Sequence, residues 1–387
     1  MRRCWAILTG AYPPAPGGVA DYTRVVARAL AAAGDEVHVI TAGSGCDDGG
    51  VRVHAAGFAV SEIARVGEIL DRLPGHREVL VQYTPYAFGA SCFNLALPVW
   101  LGARARRERV TVMFHEVMYP VRQGQPLAHN LLGRAHRLMA SMLVRSARRA
   151  LVATPRWGQI LRESCGATCP IIWAPVPSNL PTAVDPGRAA ETRSRLAARD
   201  EPLVGHFGTY GRWISEMLRP IVLGLRHRTL LVGRGSHDFR ARLVAREPSV
   251  ADRLIAAGEL EPAAAAEHLA ACDLIVQPYP DGVTTRRSSI MAGLALGAPV
   301  VTNAGELTEP LWAASGAVAL ARGADASSIM RLADALAVDA ARRAELSRRA
   351  GALYRDRFDV AHAVRIVRGA PCDTDLPSSP IIPRRGG

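Results

Sequence analysis

Two adjacent arginines, Arg286 and Arg287, stand between a predicted strand and a helix of small residues in DGVTTRRSSIMAGLALGAPVV, residues 281–301. We predict that Thr284 and Thr285 cap this helix and that both arginines lie in its first turn. The helix dipole makes that end positive, so two cations there are unfavourable unless a multiply charged anion binds against them. A diphosphate is such an anion, and a solvated charge pair is the alternative.

A histidine and a glutamate end another predicted strand, in VTVMFHEVMYP. His115 titrates near neutrality in water, and the ends of strands are where α/β proteins place reactive groups, so His115 and Glu116 are candidate catalytic residues. The preceding strand ends in QYTPYAFG, which brings Gln82, Tyr83 and Tyr86 to the same rim. There they either line an acceptor site or pack against a helix.

Glycine-rich turns follow several other predicted strands. Gly17 and Gly18, in GAYPPAPGGVADY, allow close backbone approach of an anion at a helix N-terminus, although the spacing is not the GxGxxG dinucleotide pattern. Similar turns in the second half, HFGTYGR, LLVGRGS and AAGEL, contain Gly208, Thr209, Gly211, Arg212, Gly233, Gly235 and Leu260.

The composition excludes several classes of protein. The chain of 387 residues contains no lysine, which excludes a Walker-type phosphate loop, a Schiff-base enzyme and a lysine general base. The net charge of +12 would suit a nucleic-acid binder, but aromatic residues are only 5% and we find no nucleic-acid-binding motif. We therefore predict an anionic small-molecule partner and no nucleic acid, with a membrane surface as another explanation of the charge.

The cellular setting is predicted from what the sequence lacks. We find no apolar run of about eighteen residues and no signal peptide, and the seven cysteines suggest reduced thiols in the cytoplasm. Cys165 and Cys169 lack the further ligands of a zinc site, so no metal is predicted. The helix in LLGRAHRLMASMLVRSARRALV is either packed with a basic outer face or in weak peripheral contact with an anionic membrane.

Strand-like apolar runs alternate with helical segments throughout, which predicts an α/β protein with parallel sheets. Residues 1–178 form one doubly wound domain, the Pro/Asn-rich stretch PVPSNLPTAVDP reads as a linker, and residues 179–357 form a second domain. We expect a disordered tail at residues 371–387. Because open parallel sheets bind ligands at the carboxyl ends of their strands, two such domains indicate a cleft enzyme.

The motifs GGVADYTRVVARAL, VGRGS, AAGEL, AACDLIVQPYPDG and ALGAPVVTN together resemble the retaining GT-B glycosyltransferases of the large family four. The resemblance covers most of the chain. It implies two Rossmann-like domains facing a central cleft, with the acceptor in the first, a nucleotide sugar in the second and residues 358–370 crossing back to the first. It also implies transfer with retention, needing neither a metal nor another cofactor, and it favours a UDP-sugar.

The resemblance assigns roles to individual residues. Gly17, Gly18 and Ser288 would bind the donor diphosphate. The arginine and lysine with which the family clamps the diphosphate are not at their usual places in HFGTYGRWISEM, and Arg286, Arg287 and Arg212 would replace their charge. Gly208, Thr209, Gly233, Gly235, Leu260, Thr284 and Glu309 would bind the nucleoside or sugar, and Gln82, Tyr83 and Tyr86 the acceptor. His115 would orient the sugar, Asp281 would bind sugar hydroxyls, and Glu116 or a donor phosphate oxygen would accept the acceptor's proton.

The sequence departs from the family at its most typical motif. The family has two glutamates separated by seven residues, and alignment on Gly297 and Pro299 places Thr284 and Ala292 at these positions. The alternatives are therefore a catalytically silent GT-B scaffold that binds a nucleotide, or a GT-B epimerase; the absence of lysine argues against a phosphorylase with a Schiff-base cofactor. The acceptor is a small molecule, a carrier-bound intermediate or a glycan, and the oligomeric state is a monomer or homodimer.

Overall fold

The computed structural model describes residues 2–89, 92–121 and 124–370, in which thirteen strands form two parallel sheets. The predicted tail at 371–387 lies outside the described residues. The strands are short, mostly buried apolar runs, as parallel sheets covered by helices require. They are β1 Cys4–Thr9, β2 Glu36–Thr41, β3 Val51–Ala55, β4 Glu78–Tyr83, β5 Arg109–Phe114, β6 Arg149–Val152, β7 Ile171–Trp173, β8 Leu203–Phe207, β9 Arg228–Val232, β10 Leu254–Gly258, β11 Leu274–Gln277, β12 Val300–Asn303 and β13 Ala319–Ala321.

Helices alternate with the strands, and then continue alone towards the C-terminus. They are α1 Gly18–Ala32, α2 Ile63–Asp71, α3 Ala96–Arg104, α4 Leu127–Ser146, α5 Pro155–Cys165, α6 Pro186–Leu196, α7 Arg212–Gly224, α8 Ser236–Arg246, α9 Pro262–Ala270, α10 Ser288–Ala295, α11 Pro310–Ser315, α12 Ala326–Val338, α13 Ala340–Arg357 and α14 Val360–Val367. Helices α5, α6, α9 and α11 begin at a proline, whose fixed φ and missing N–H suit the first helical position. No helix among the described residues is both long and apolar enough to cross a membrane.

The first sheet has the strand order β3-β2-β1-β4-β5-β6-β7. Ile7 of β1 lies beside Val39 of β2 on one side and Leu80 of β4 on the other. The chain therefore reverses its direction of winding between β1 and β4. The loops that follow these two strands border the crevice where open α/β sheets bind ligands.

The second sheet repeats this topology with the order β10-β9-β8-β11-β12-β13. Val204 of β8 lies beside Thr229 of β9 and Leu274 of β11. Its switch point therefore lies between β8 and β11, so the loops after Phe207 and Gln277 are the ones expected to meet a ligand. The α/β class with two doubly wound parallel sheets is confirmed.

The chain divides into two compact units. The first unit is Met1–Pro175 with the chain from Ala363 onward, and the second unit is Val176–His362. Two side-chain hydrogen bonds join the chain from Ala363 onward to the rest of the first unit. Arg149 Nη1 donates to Ile366 O at 3.1 Å, and Arg368 Nη2 donates to Asp35 Oδ1 at 2.8 Å.

Candidate functional site

A buried glutamine joins the two strands at the switch point of the second sheet. Gln277 ends β11, and its Nε2 donates to Phe207 O at 2.7 Å and to Ser289 O at 3.3 Å. The amide thus connects the carboxyl ends of β8 and β11 with the first turn of α10. Because all three elements share this side chain, the loop between β11 and α10 starts and finishes at fixed points.

That loop is also fixed along its length by Asn303, the last residue of β12, and by the segment that follows β12. Asn303 Oδ1 accepts from Tyr279 N at 2.8 Å, and Asn303 Nδ2 donates to Tyr279 O at 2.9 Å. Gly282 has φ +84°, and a Cβ there would lie 2.2 Å from Thr308 Oγ1 and 2.3 Å from Gly305 N. Only glycine fits this position, so the loop and the segment facing it are closely matched.

The two arginines of the loop share one carboxylate. Arg287 Nη2 lies 2.9 Å from Oδ1 and 3.2 Å from Oδ2 of Asp281, and Arg286 donates to Oδ2. Burial acts to raise the pKa of Asp281, but the charges of Arg287 and Arg286 outweigh it and hold that pKa below its usual value. This arginine–aspartate cluster, Asp281, Arg286 and Arg287, therefore carries a net charge of +1 at neutral pH.

The helix after this cluster begins later than the sequence indicated. Its first residue is Ser288, and Arg287 is the N-cap residue with extended dihedral angles, φ −99° and ψ 103°. The prediction that Thr284 and Thr285 cap α10, with the arginines inside its first turn, is therefore wrong. The reason is that Thr285 has other partners, as described below, and that Thr285 and Arg286 form a separate turn, in which Arg287 N donates to Thr284 O at 3.3 Å.

Glu309 joins the arginine-bearing loop to α11 through several hydrogen bonds. Its carboxylate accepts from Thr285 N at 3.1 Å, from Thr285 Oγ1 at 2.7 Å and from Trp312 Nε1 at 2.8 Å. It is also the N-cap residue of α11 and is 5% exposed. The carboxylate predicted to bind ribose or sugar thus already accepts from three protein groups, and two of them belong to Thr285 of the arginine-bearing loop.

The positions aligned with the family's two glutamates are buried. Thr284 and Ala292 are both inaccessible to solvent. Thr284 Oγ1 has no hydrogen-bond partner in the described part of the chain. A carboxylate at either position would have to be desolvated, which is costly unless it is paired.

The glycines that follow β8 and β9 donate backbone hydrogen bonds to the last residues of β9 and β10. Gly208 N donates to Val232 O at 3.1 Å, and Gly233 N donates to Gly258 O at 2.7 Å. Gly233 has φ +121°, and a Cβ there would lie 2.0 Å from Gly208 O. Gly235, with φ +85°, is the N-cap residue of α8. Of the sequence-predicted glycines, Gly208 and Gly233 are therefore brought together.

Other predicted residues of the second unit lie outside this linked set. Arg212 starts α7 and pairs with Glu216 of the same helix at 2.9 Å, with a largely exposed side chain. Thr209 is exposed on the same loop, and Leu260 is half-buried beyond Gly258. Ser288 is half-buried at the first position of α10.

In the first unit, His115 is buried where β5 ends. Its Nε2 lies 2.8 Å from Gln82 Oε1, its ring contacts Tyr22 edge-on at 4.7 Å, and its carbonyl accepts from Trp157 Nε1 at 2.8 Å. Burial lowers the pKa of His115 to about 3. The imidazole is therefore neutral near pH 7, and with Gln82 Oε1 as acceptor its proton is on Nε2.

The remaining predicted residues of this rim differ in exposure. Tyr83 is buried and packs edge-on at 5.3 Å against Phe114 of the neighbouring strand β5, rather than against a helix. Tyr86 is partly exposed and contacts His136 edge-on at 5.5 Å. Glu116 follows His115 and is half-buried.

The first glycine loop ends as the sequence predicts, at the start of a helix. Gly17 is the N-cap residue of α1 with φ +156°, and Gly18 is its first residue. A Cβ on either glycine would meet no atom within 4 Å. At Gly17 the backbone conformation therefore favours glycine, while the space beside both residues is open.

Sequence reasoning missed three residues that organise the second unit's site: Gln277, Tyr279 and Asn303. The guanidinium of Arg287 lies over the Tyr279 ring at 5.3 Å, and the Tyr279 hydroxyl is 2.8 Å from Ser289 Oγ. Each of the three lies at or just past the end of β11 or β12. A polar side chain at or just past the end of an apolar strand is the sequence feature that could have identified them as site residues.

No family model and no curated protein matches the sequence. Solved structures do match. Sucrose-phosphate synthase from Thermosynechococcus elongatus has a TM-score of 0.73 at 18% identity, over 95% of this chain and 98% of that one. Anabaena HepE in complex with UDP and glucose has a TM-score of 0.69 at 17% identity, over 95% and 98%.

A third structure is WaaG, a glycosyltransferase involved in lipopolysaccharide biosynthesis, with a TM-score of 0.68 at 15% identity over 95% of this chain and 100% of that one. The chain has the GT-B fold. The likeness extends over both Rossmann-like units and confirms the fold that the sequence motifs implied.

Proposed function

We propose that the protein is a glycosyltransferase that moves a sugar from a nucleoside diphosphate sugar, with UDP favoured, to an acceptor. The GT-B fold carries this proposal, because the similar structures are glycosyltransferases and HepE is described with UDP, with UDP and glucose, and with UDP-glucose. We further propose that transfer retains the anomeric configuration and requires no metal or other cofactor. The acceptor is a small molecule, a carrier-bound intermediate or a glycan.

The arginine–aspartate cluster is the proposed site of the donor diphosphate. It lies after β11, at the switch point of a sheet whose other edge loops contain the closely packed glycines Gly208 and Gly233. Departure of a nucleoside diphosphate develops negative charge, and fixed cations at that place stabilise the transition state without needing to reorganise. In this proposal Asp281 positions both guanidinium groups before the donor arrives.

His115 is proposed to act in its neutral form. A neutral imidazole with its proton on Nε2 offers Nδ1 as an acceptor for a hydroxyl group, whereas an imidazolium could only donate. The low pKa that burial produces therefore suits a residue that orients a sugar rather than one that titrates during turnover. Glu116 or a donor phosphate oxygen is proposed to take the acceptor's proton.

A peripheral contact with an anionic membrane is proposed for the outer face of α4. Leu127, Leu131 and Leu138 are 86%, 68% and 52% exposed, and Arg134 and Arg145 continue the same stripe at spacings of three, four and seven residues. The helix contains no acidic residue. An apolar stripe with basic neighbours matches the acyl chains and charged headgroups of such a surface.

We place the enzyme in the cytoplasm as a monomer or homodimer. All six cysteines of the described residues are free thiols, in keeping with a reducing compartment.

A panel of nucleotide sugars tests the proposed function. The donor is expected to raise the unfolding temperature, and the best stabiliser should then be hydrolysed or transferred without added divalent metal. The anomeric configuration of the product, read by NMR, tests retention. Binding without any turnover would favour the silent scaffold, and epimerised donor without transfer would favour an epimerase.

A further inference from the structure

Three metal-ligating side chains meet on one face of the first sheet, at the amino ends of β1 and β2. They are Cys4, Glu36 and His38, whose thiol, carboxylate and imidazole donor atoms all lie within 4.8 Å of one another. His38 Nε2 is 3.2 Å from Glu36 Oε1. Cys4 and Glu36 are partners in the strand register, and His38 is two residues further along the same face.

We propose that Cys4, Glu36 and His38 bind one zinc ion. Sulfur, imidazole nitrogen and carboxylate oxygen are the three ligand types that zinc takes in proteins. With bonds of about 2.0 to 2.3 Å, the ligand atoms of a tetrahedral ion lie roughly 3.3 to 3.7 Å apart, so only small side-chain rotations are needed. The fourth ligand is water, which reaches the ion on the half-exposed side of Glu36.

A second histidine contacts the ring nitrogen of His38 that would not bind the metal. In zinc sites this second nitrogen usually has a hydrogen-bond partner. His54 Nε2 lies 2.8 Å from His38 Nδ1, and the two rings are nearly parallel, with their centroids 5.1 Å apart. Zinc on His38 Nε2 moves that ring's proton to Nδ1, which then donates to His54 Nε2, while His54 keeps its own proton on Nδ1. Such a partner fixes the tautomer and orientation of a metal-bound histidine.

The protons and charges of the site balance. The Cys4 thiol gives up its proton when the metal binds, because the thiolate is the form that binds zinc. Binding releases that one proton to solvent and forms the zinc–sulfur bond, and the thiolate and the Glu36 carboxylate together neutralise the two charges of the ion. Binding is therefore weaker at lower pH.

Glu36 must exchange its present cations for the metal. It pairs with Arg52 and, at 3.9 Å, with Arg2, and both arginine side chains are more than half exposed. Exposed ion pairs of this kind are weak and their arginines can return to water. The neighbouring Asp35 accepts from Trp5 Nε1 at 2.9 Å and from Arg368. The ion would therefore stabilise the region in which the chain from Ala363 contacts the first sheet. This role is independent of the proposed sugar transfer.

Zinc and cobalt binding to the full-length chain tests the site. After chelation and dialysis, the wild type is expected to take up one zinc per chain by elemental analysis, and cobalt should give a thiolate-to-metal charge-transfer band. Cys4→Ser should lose that band, and His38→Ala and Glu36→Gln should weaken zinc binding at least 10-fold. His54→Ala should weaken it roughly 10- to 100-fold without abolishing it.

Exposed residues of the same types provide the controls. Cys46→Ser and His76→Ala should bind zinc like the wild type. Circular dichroism shows whether each variant is folded. If Cys4→Ser does not fold, the zinc affinities of the two single variants Glu36→Gln and His54→Ala test the site instead. Failure of the wild type to retain zinc, or equal binding by Glu36→Gln, His54→Ala and the wild type, overturns the proposal.

Discussion

Replacing Arg287 by alanine separates the diphosphate role of the arginine–aspartate cluster from its structural role. The Arg287 side chain is 30% exposed, compared with 9% for Arg286, so its loss should destabilise the unit less than the loss of Arg286. A hydrogen bond to a charged group is worth about 1.5 to 3 kcal/mol, and the lower figure applies at this exposure. The local charge falls from +1 to zero, and we expect UDP to bind about 10-fold more weakly.

Calorimetric titration with UDP at low salt measures this change. Arg188→Ala is the matched control, because Arg188 is an exposed arginine of the same unit that pairs with one acid, Glu267, at 3.4 Å. Its UDP affinity should equal that of the wild type. Arg286 is a less clean probe, since its side chain is only 9% exposed and its removal should also destabilise the unit.

Asp281→Asn distinguishes the two roles that this carboxylate could have. If it positions the arginines, the substitution leaves both guanidinium groups unfixed, and UDP should bind more weakly in a folded but less stable protein even though the local charge rises from +1 to +2. If it binds sugar hydroxyls instead, UDP affinity should stay the same while turnover falls. Unchanged UDP affinity in both Arg286→Ala and Arg287→Ala would refute the cluster as a diphosphate site.

Three further predictions concern other parts of the chain. His115→Ala should lower turnover more than donor affinity, and because burial lowers the pKa of His115 to about 3, the wild-type rate should show no inflection from this group near pH 6.5; an inflection lost in the variant would contradict its neutral role. Leu131→Ser should reduce sedimentation with anionic vesicles, whereas Val338→Ser, also an exposed apolar position, should not; equal sedimentation would argue against the α4 contact. Gly233→Ala should lower the free energy of unfolding by about 2 to 5 kcal/mol through the backbone clash described above, while Gly211→Ala, which has open space, should change it little in the same urea titration.

The sequence predicted the sheets well because the signal for a buried parallel strand is local. EVHVIT and DLIVQP are short apolar runs bounded by polar residues, and both became strands at the expected places. The start of α10 was mispredicted because it depends on a distant residue. Glu309 holds Thr285 in a turn before the helix, and nothing in TTRRSS itself indicates this partner.

The candidate metal site illustrates the same limit. Cys4 is separated from Glu36 by more than thirty residues, and only the parallel register of β1 and β2 brings them together. Sequence-based searches for zinc ligands rely on short spacings such as paired cysteines, so they do not detect a set divided between neighbouring strands. Cys165 and Cys169 do have a short spacing, but both thiols lie among apolar residues in the core of the first unit.

The buried positions Thr284 and Ala292 bear on how a GT-B enzyme could work without the usual glutamate pair. Both side chains are inaccessible, so a carboxylate was not simply lost from a site that is otherwise unchanged. Instead, the charged groups of this region lie in the loop before α10, as two guanidinium groups around Asp281. If the protein transfers a sugar, the interaction that strengthens in the transition state is then between these arginines and the departing diphosphate. On this reasoning Glu309→Gln should impair the reaction through the loop, by loosening Thr285, and its loss of activity should follow its loss of stability.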